Sequence, residues 1–342
     1  MLVEGGVSLL VNSFVRQAMR NLKCLLLTLF FLVVCAPAQA TEQRVSARQL
    51  IKDMSVAVRE LNYDGVFIYQ RGGQTNTLRL IHKSSKAGEI ERLVSLTGVA
   101  REVIRDKESV RCYFPDDQAV MVEKSRPSEL ISSKLPRSLE KLESNYQFSI
   151  IGEDRVAGKP TWVVSIKPKD AYRYGYQFWI EKESNFLMKS ELRNRSGLLL
   201  EQIMFTQLDV LEAVAEEMLQ PSVSGKGYTW HNNSRKAAAQ QDSGVNWQVG
   251  WMPSGFSKDN DEIYPAADKK TPVNHLVYTD GLAMVSIFIE KLDTGPDVTV
   301  GLSRLGGVNA YAKITNGYQV TAVGEVPQST VQRMANSVST TQ

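Results

Sequence analysis

The sequence predicts a mainly β protein with flanking helices (α+β), in which a large curled antiparallel sheet precedes a smaller α+β second domain. Three observations predict it. First, Ala171 to Leu208 shows period-two alternation in three consecutive runs separated by very short turns, and turns this short join only antiparallel neighbours. Second, further short apolar runs recur at even intervals after one leading amphipathic helix, the pattern of one large antiparallel sheet. Third, Ser222 to Gly244 has the Ser, Gly, Asn, Gln and Ala content of a linker, and strand patterning restarts beyond it.

In chain order, residues 1–40 read as an export signal. Arg16, Arg20 and Lys23 form a basic region, Leu25 to Val34 an apolar one, and Ala38-Gln39-Ala40 a small-x-small cleavage site. The apolar run is shorter than the ~20 residues that span a bilayer. Cys35 closes it, but Val34 stands where lipoprotein processing needs a small residue, so cleavage after Ala40 is expected. Met19-Arg20-Asn21-Leu22-Lys23 would itself begin a conventional signal peptide. Cleavage removes Arg16, Arg20 and Lys23 against Glu4 and leaves 37 basic and 36 acidic residues. That balance carries no nucleic-acid footprint. Only Cys112 remains of three cysteines, so stability is expected from the core and not from an internal disulfide.

Ser46 to Leu61 is expected to be a helix capped by Ser46, with Leu50, Ile51, Met54, Val58 and Leu61 on one stripe. Asn62 to Gly65 is expected to end it. Strands follow at 66–70, 77–83, 90–96, 101–105, 109–114 and 119–123. Leu130, Ile131, Leu135, Leu139 and Leu142 recur at helical intervals between Ser125 and Asn145, which predicts two short helices covering the concave side of the sheet or acting as a lid. Strands resume at 146–153 and 161–167. In the meander, Tyr176, Phe178 and Ile180 are expected on one face, with Gln177, Trp179 and Glu181 on the other. The second domain is expected to hold strands at 246–252, 274–279, 283–290, 309–315 and 319–325, with Asn316-Gly317 as a hairpin turn and Pro327 to Val338 as a closing helix. The domain organisation is thus 1–40 signal, 41–221 first domain, 222–244 linker and 245–342 second domain.

Catalytic patterns are absent. His82, His231 and His275 stand at no ligand spacing from Cys, Asp or Glu, so no metal or cofactor is expected. Gly152 to Pro160 superficially suggests a phosphate loop, but it has five spacer residues where four are needed, and Pro160 replaces the magnesium-binding Ser or Thr. Ser138 and Lys141 match Ser-x-x-Lys without its companion motifs. They are the only candidates for a secreted hydrolase, and no enzyme activity is expected. The aromatic supply of the first domain is large. Core packing and cross-strand pairing account for it, and so does a curled sheet whose concave face holds an acyl chain or an extended hydrophobic peptide.

Several blocks carry a resemblance. Tyr63-Asp64-Gly65-Val66-Phe67-Ile68-Tyr69, Arg101 to Arg105, Tyr172-Arg173-Tyr174-Gly175-Tyr176, Lys189 to Leu192 and Leu200-Glu201-Gln202 resemble the first domain of the RseB/MucB family. Val273 to Ala283, Ser286 to Glu290 and Val320 to Pro327 are similar to its second. The leader is long, and the linker is extended by Ala237 to Ser243. The resemblance implies a first domain shaped like the half-barrel of periplasmic lipoprotein carriers. It also implies a soluble periplasmic regulator that binds the periplasmic part of a transmembrane anti-sigma factor (RseA or MucA) and shields it from site-one proteolysis. Repression of the sigma-E (AlgU-type) response would end on sensing lipid or lipopolysaccharide. On this view Phe67, Tyr69, Trp162, Tyr176 and Phe178 face the lipid, and Tyr278, Asp280 and Phe288 lie near the partner surface, with core packing the alternative account of Phe288. A plain periplasmic lipid or lipoprotein carrier is the alternative, and monomer and homo-oligomer both remain open.

Overall fold

The computed structural model describes residues 45–125, 139–232, 246–264, 273–292 and 300–341. The signal segment, residues 233–244 of the expected linker, Ser138 and the helical positions Leu130, Ile131 and Leu135 lie outside the described residues.

Helix α1 (Ala47–Glu60) forms where its pattern places it. Ser46 accepts the Gln49 amide at 3.1 Å, satisfying one of the N–H groups a helix start leaves open. Leu50, Ile51, Met54 and Val58 are buried, and each contributes roughly 1.5–3 kcal/mol by leaving water. Eleven strands follow: β1 (Asn62–Arg71), β2 (Gln74–Ser85), β3 (Gly88–Ser95), β4 (Glu102–Arg105), β5 (Ser109–Phe114), β6 (Ala119–Lys124), β7 (Tyr146–Val156), β8 (Lys159–Pro168), β9 (Gly175–Glu181), β10 (Leu187–Arg193) and β11 (Leu199–Leu211). Helix α2 (Leu139–Glu143) sits between β6 and β7, with Leu139 and Leu142 buried.

With β12 (Thr229–Asn232) these strands make one sheet of order β12-β6-β5-β4-β3-β2-β1-β11-β10-β9-β8-β7. Two meanders, β1 to β6 and β7 to β11, are stitched together by the antiparallel pair β1–β11. The sheet curls far enough for edge strand β7 to touch β11, and α1 lies against β2 and β7 inside the curl. Side chains of α1, α2 and the concave face then form one core, including Phe67, Tyr146, Val164, Phe178, Phe186 and Phe205.

Three local expectations are corrected. The first strand begins at Asn62 and not at Val66, because Tyr63 is buried and Gly65 lets the chain pass the Phe205 ring; a Cβ there would lie 2.7 Å from it. The expected linker is folded in its first part: Ser222 donates its amide to Glu102, and β12 pairs in parallel with β6. The sheet is therefore mixed at that edge. Trp179 and Glu181 point away from Phe178, as expected, and that face is buried there as well. Trp179 gives its indole N–H to Asp154 at 2.8 Å and is covered by Lys189, while Glu181 caps the turn to β10.

The second sheet has the order β14-β15-β16-β19-β18-β17, entirely antiparallel. Its strands are β14 (Ser257–Tyr264), β15 (Val273–Thr279), β16 (Met284–Lys291), β17 (Gly301–Leu305), β18 (Val308–Thr315) and β19 (Tyr318–Gly324). Helix α3 (Gln328–Asn336) packs on β18 and β19 through Val331, Met334 and Ala335. A two-stranded ribbon, β13 (Asn246–Val249) with β20 (Val338–Thr341), completes this part. β13 stops three residues short of the expected Met252.

Candidate functional site

Register brings the five expected lipid-facing residues onto one face. Tyr69 pairs with Ile203, Ile203 with Ser190, Ser190 with Phe178 and Phe178 with Val164. Directly paired residues point the same way, so this row crosses the concave face. Tyr176 opposite Ile166, Trp162 opposite Ile180 and Phe67 opposite Phe205 share it. Their exposure divides them. Phe67 and Phe178 are core residues at 4% and 2% exposure, beneath α1. Tyr69, Trp162 and Tyr176 are half-buried at its margin. Tyr69 donates its hydroxyl to Glu201 at 3.1 Å, and Lys182 lies 4.0 Å from the centre of the Trp162 ring. A cavity of about 140 Å³ opens nearby, lined by Gln70, Leu200, Glu201 and Arg304 among others. None of the five lines it, and it is smaller than the ~300–1,000 Å³ of ordinary ligand pockets.

A dense polar constellation lies where the two sheets meet, on Tyr172-Arg173-Tyr174 just before β9. Tyr172 accepts from Thr330 Oγ1 through its carbonyl and from Arg333 through its hydroxyl, both at 2.7 Å. Its ring meets Trp251 edge-on at 5.0 Å. The Tyr174 hydroxyl accepts from the Asn309 amide at 2.9 Å, and that amide also donates to Val326 O. Between them Arg173, whose side chain is wholly buried, donates to Asp280 Oδ2 at 2.7 Å and to Ser254 O at 2.6 Å. Its guanidinium also lies over the Tyr146 and Phe256 rings.

Asp280 is shared. Oδ2 takes Arg173 and the Tyr146 hydroxyl, while Oδ1 takes the Leu282 and Ala283 amides and so shapes the β15–β16 turn. Burial, then the Asp280 charge, push the Tyr146 phenol well above its ordinary range, so it stays a neutral donor. Tyr146 belongs to the concave core. One hydroxyl therefore links that core directly to the second sheet.

A second contact joins the same halves. The β17–β18 turn at Gly306 presses on Gly72 and Arg71, where a Cβ would fall 2.7 Å from Arg71 Cγ; its φ of +58° also favours glycine.

Of the three expected partner residues, Tyr278 and Asp280 are buried at 4% and 5% exposure. Asp280 is spent within the chain. Phe288 is half-buried, stacked on the His275 ring at 4.3 Å, on the sheet face opposite the buried Ile287 and Ile289. Sequence reading named Asp280 but missed Arg173, Tyr146, Asn309 and Thr330. Its one available signal was an arginine set between aromatics in a run otherwise destined for the core.

Residues 46–223 match the model of the MucB/RseB N-terminal domain, and residues 241–339 match that of the C-terminal domain. The chain belongs to the MucB/RseB family. Among its MucB/RseB relatives is the sigma factor AlgU regulatory protein MucB of Pseudomonas aeruginosa, 32% identical over 91% of this chain and 96% of that protein. The sigma-E factor regulatory protein RseB of Escherichia coli K12 is 24% identical over 90% and 94%. The solved MucA/MucB complex of Pseudomonas aeruginosa superposes with a TM-score of 0.68 at 30% identity, covering 86% of this chain and 99% of that one. MucB crystallised alone gives 0.62, covering 85% and 97%. In MucB/RseB terms, the Arg173–Asp280 pair joins the N-terminal to the C-terminal domain. Among the described residues, no helix is long and apolar enough to cross a membrane.

Proposed function

We propose that this protein is a non-enzymatic periplasmic regulator. It binds the periplasmic part of a transmembrane anti-sigma factor, shields it from site-one proteolysis and so represses a sigma-E-type stress response. The observation that carries this reading is the similarity, over most of both chains, to a MucB solved with MucA. The Phe288 face of the second sheet supports a docking role, since a half-buried aromatic on a sheet face is a natural anchor. Tyr278 and Asp280 act in this reading from beneath that face and not by direct contact.

A lipid or lipopolysaccharide fragment is the proposed effector, entering at the margin held by Tyr69, Trp162 and Tyr176 and reaching Phe67 and Phe178 only if α1 shifts. Such a shift moves Tyr146 and with it the Asp280 contact, which gives effector and partner the shared element that coupling requires. A plain carrier fits less well, because the concave face is already packed by α1. The deciding experiment titrates the periplasmic segment of the anti-sigma factor into the purified protein and then adds site-one protease. Saturable binding that slows cleavage is expected, and cleavage at the unprotected rate would reject the reading. Phe288→Ala is expected to weaken binding by about tenfold or more, the loss of one anchor.

A further inference from the structure

The hairpin of β2 and β3 carries a cluster that the regulatory reading does not use. We propose that His82, Glu89 and Glu91 form a binding site for a divalent transition-metal cation of the zinc class. Cross-strand pairing sets His82 directly opposite Glu91, and Glu89, two residues before Glu91, points the same way. One donor atom from each of the three lies within 4.8 Å of the others.

The imidazole is arranged as a ligand. His82 is fully buried and stacked on the Tyr63 ring, with centroids 4.8 Å apart. Its Nδ1 stands 2.8 Å from the Leu61 carbonyl. A carbonyl only accepts, so Nδ1 carries the proton and Nε2 presents its lone pair. That nitrogen has no hydrogen-bond partner, and at 3.7 Å from Glu89 Oε2 it is beyond hydrogen-bonding distance. A buried acceptor aimed at two carboxylates is unfavourable in an empty protein and is satisfied by a cation. The Leu61 contact is the outer bond that orients a ligating histidine and fixes its tautomer.

Charge and access agree. The two carboxylates supply the negative charge a cation requires, with Arg105 3.5 Å from Glu91. Bonds of about 2.0–2.2 Å to each donor require the three atoms to close by roughly 1 Å. Glu89, one-third exposed, supplies that movement and opens the site to solvent for a water as fourth ligand. Mixed imidazole and carboxylate donors favour zinc-class ions over calcium or magnesium, which take oxygen alone. Because Leu61 caps α1, a bound ion would tie together the end of that helix, β2 and β3.

The test is calorimetric titration of ZnCl2 into chelator-treated, purified protein, with thermal unfolding followed in parallel. One saturable site is expected, with a Tm that rises with zinc concentration, since only the folded chain assembles the ligands. Glu89→Gln, at a partly exposed position, is expected to fold normally and to weaken zinc binding at least tenfold. His82→Gln should abolish binding if its near-ultraviolet circular dichroism remains native. His231→Ala should leave binding unchanged. Absence of a saturable site in the wild type, or one whose affinity Glu89→Gln leaves intact, would overturn the proposal.

Discussion

Asp280 shows how much one side chain decides. It receives a guanidinium, a phenol and two backbone amides, all within a buried junction. Removing one partner of a buried ion pair leaves the other uncompensated, so Asp280→Ala is expected to destabilise the protein by about 3–5 kcal/mol in urea unfolding. Tyr146→Phe removes a single hydrogen bond to a charged acceptor and is expected to cost about 1.5–3 kcal/mol. An effect under 0.5 kcal/mol for both would mean that the junction adds nothing to stability. None of this was legible beforehand. The partners of Asp280 lie 107 and 134 residues away in the chain, and no local pattern reports such a distance.

Elements were the most legible scale, wherever burial followed a simple period. Helix α1 reads directly from its stripe, and its packing predicts its energetics. Met54, fully buried against the concave face, should lose about 2–5 kcal/mol on change to alanine, measured as a shift of the denaturation midpoint. The β9–β10 turn shows what periodicity misses. Glu181 stands on the face opposite Phe178, yet it is buried and accepts from the Glu183 amide and from the amide and hydroxyl of Ser184. Burial alone would raise its pKa, but these hydrogen bonds and Lys159 together hold it below the ordinary value. A lowered folded-state pKa gives stability that is present above the unfolded value of about 4.3 and is lost as pH falls through the folded one. Glu181→Gln should therefore be less stable than wild type by about 1–2 kcal/mol at pH 7. The gap should close as pH falls below about 4; a gap constant from pH 7 to pH 3 would contradict the assignment. Strands β14 and β17 escaped reading for a plainer reason. Ser257 to Asp261 is polar throughout and β17 is exposed along its length, so neither shows the alternation of a half-buried strand.

For the whole molecule, the proposed regulation rests on two sheets joined by specific polar contacts. Effector and partner coupled through Tyr146 and Asp280 should oppose each other reciprocally. A lipopolysaccharide fragment is expected to weaken binding of the anti-sigma segment by about 5–150-fold, and that segment to weaken lipid binding by the same factor. Tyr146→Phe should reduce this factor while leaving the affinity measured without lipid near wild type. An undiminished factor would place the coupling elsewhere in the contact, for example at Gly306 against Gly72.

The amino-acid order by itself determined the strands whose burial alternates, the leading and closing helices, the family resemblance and the aromatic character of one sheet face. Those properties follow from neighbours in the chain, through side-chain period, turn chemistry and local composition. Only the tertiary structure decided that α1 fills the curl, that Phe67 and Phe178 are core while Trp162 stays at the margin, and that Arg173 reaches Asp280. It alone set His82 beside Glu91. Each of these depends on register and on closure of the sheet, which bring together residues that no sequence interval relates.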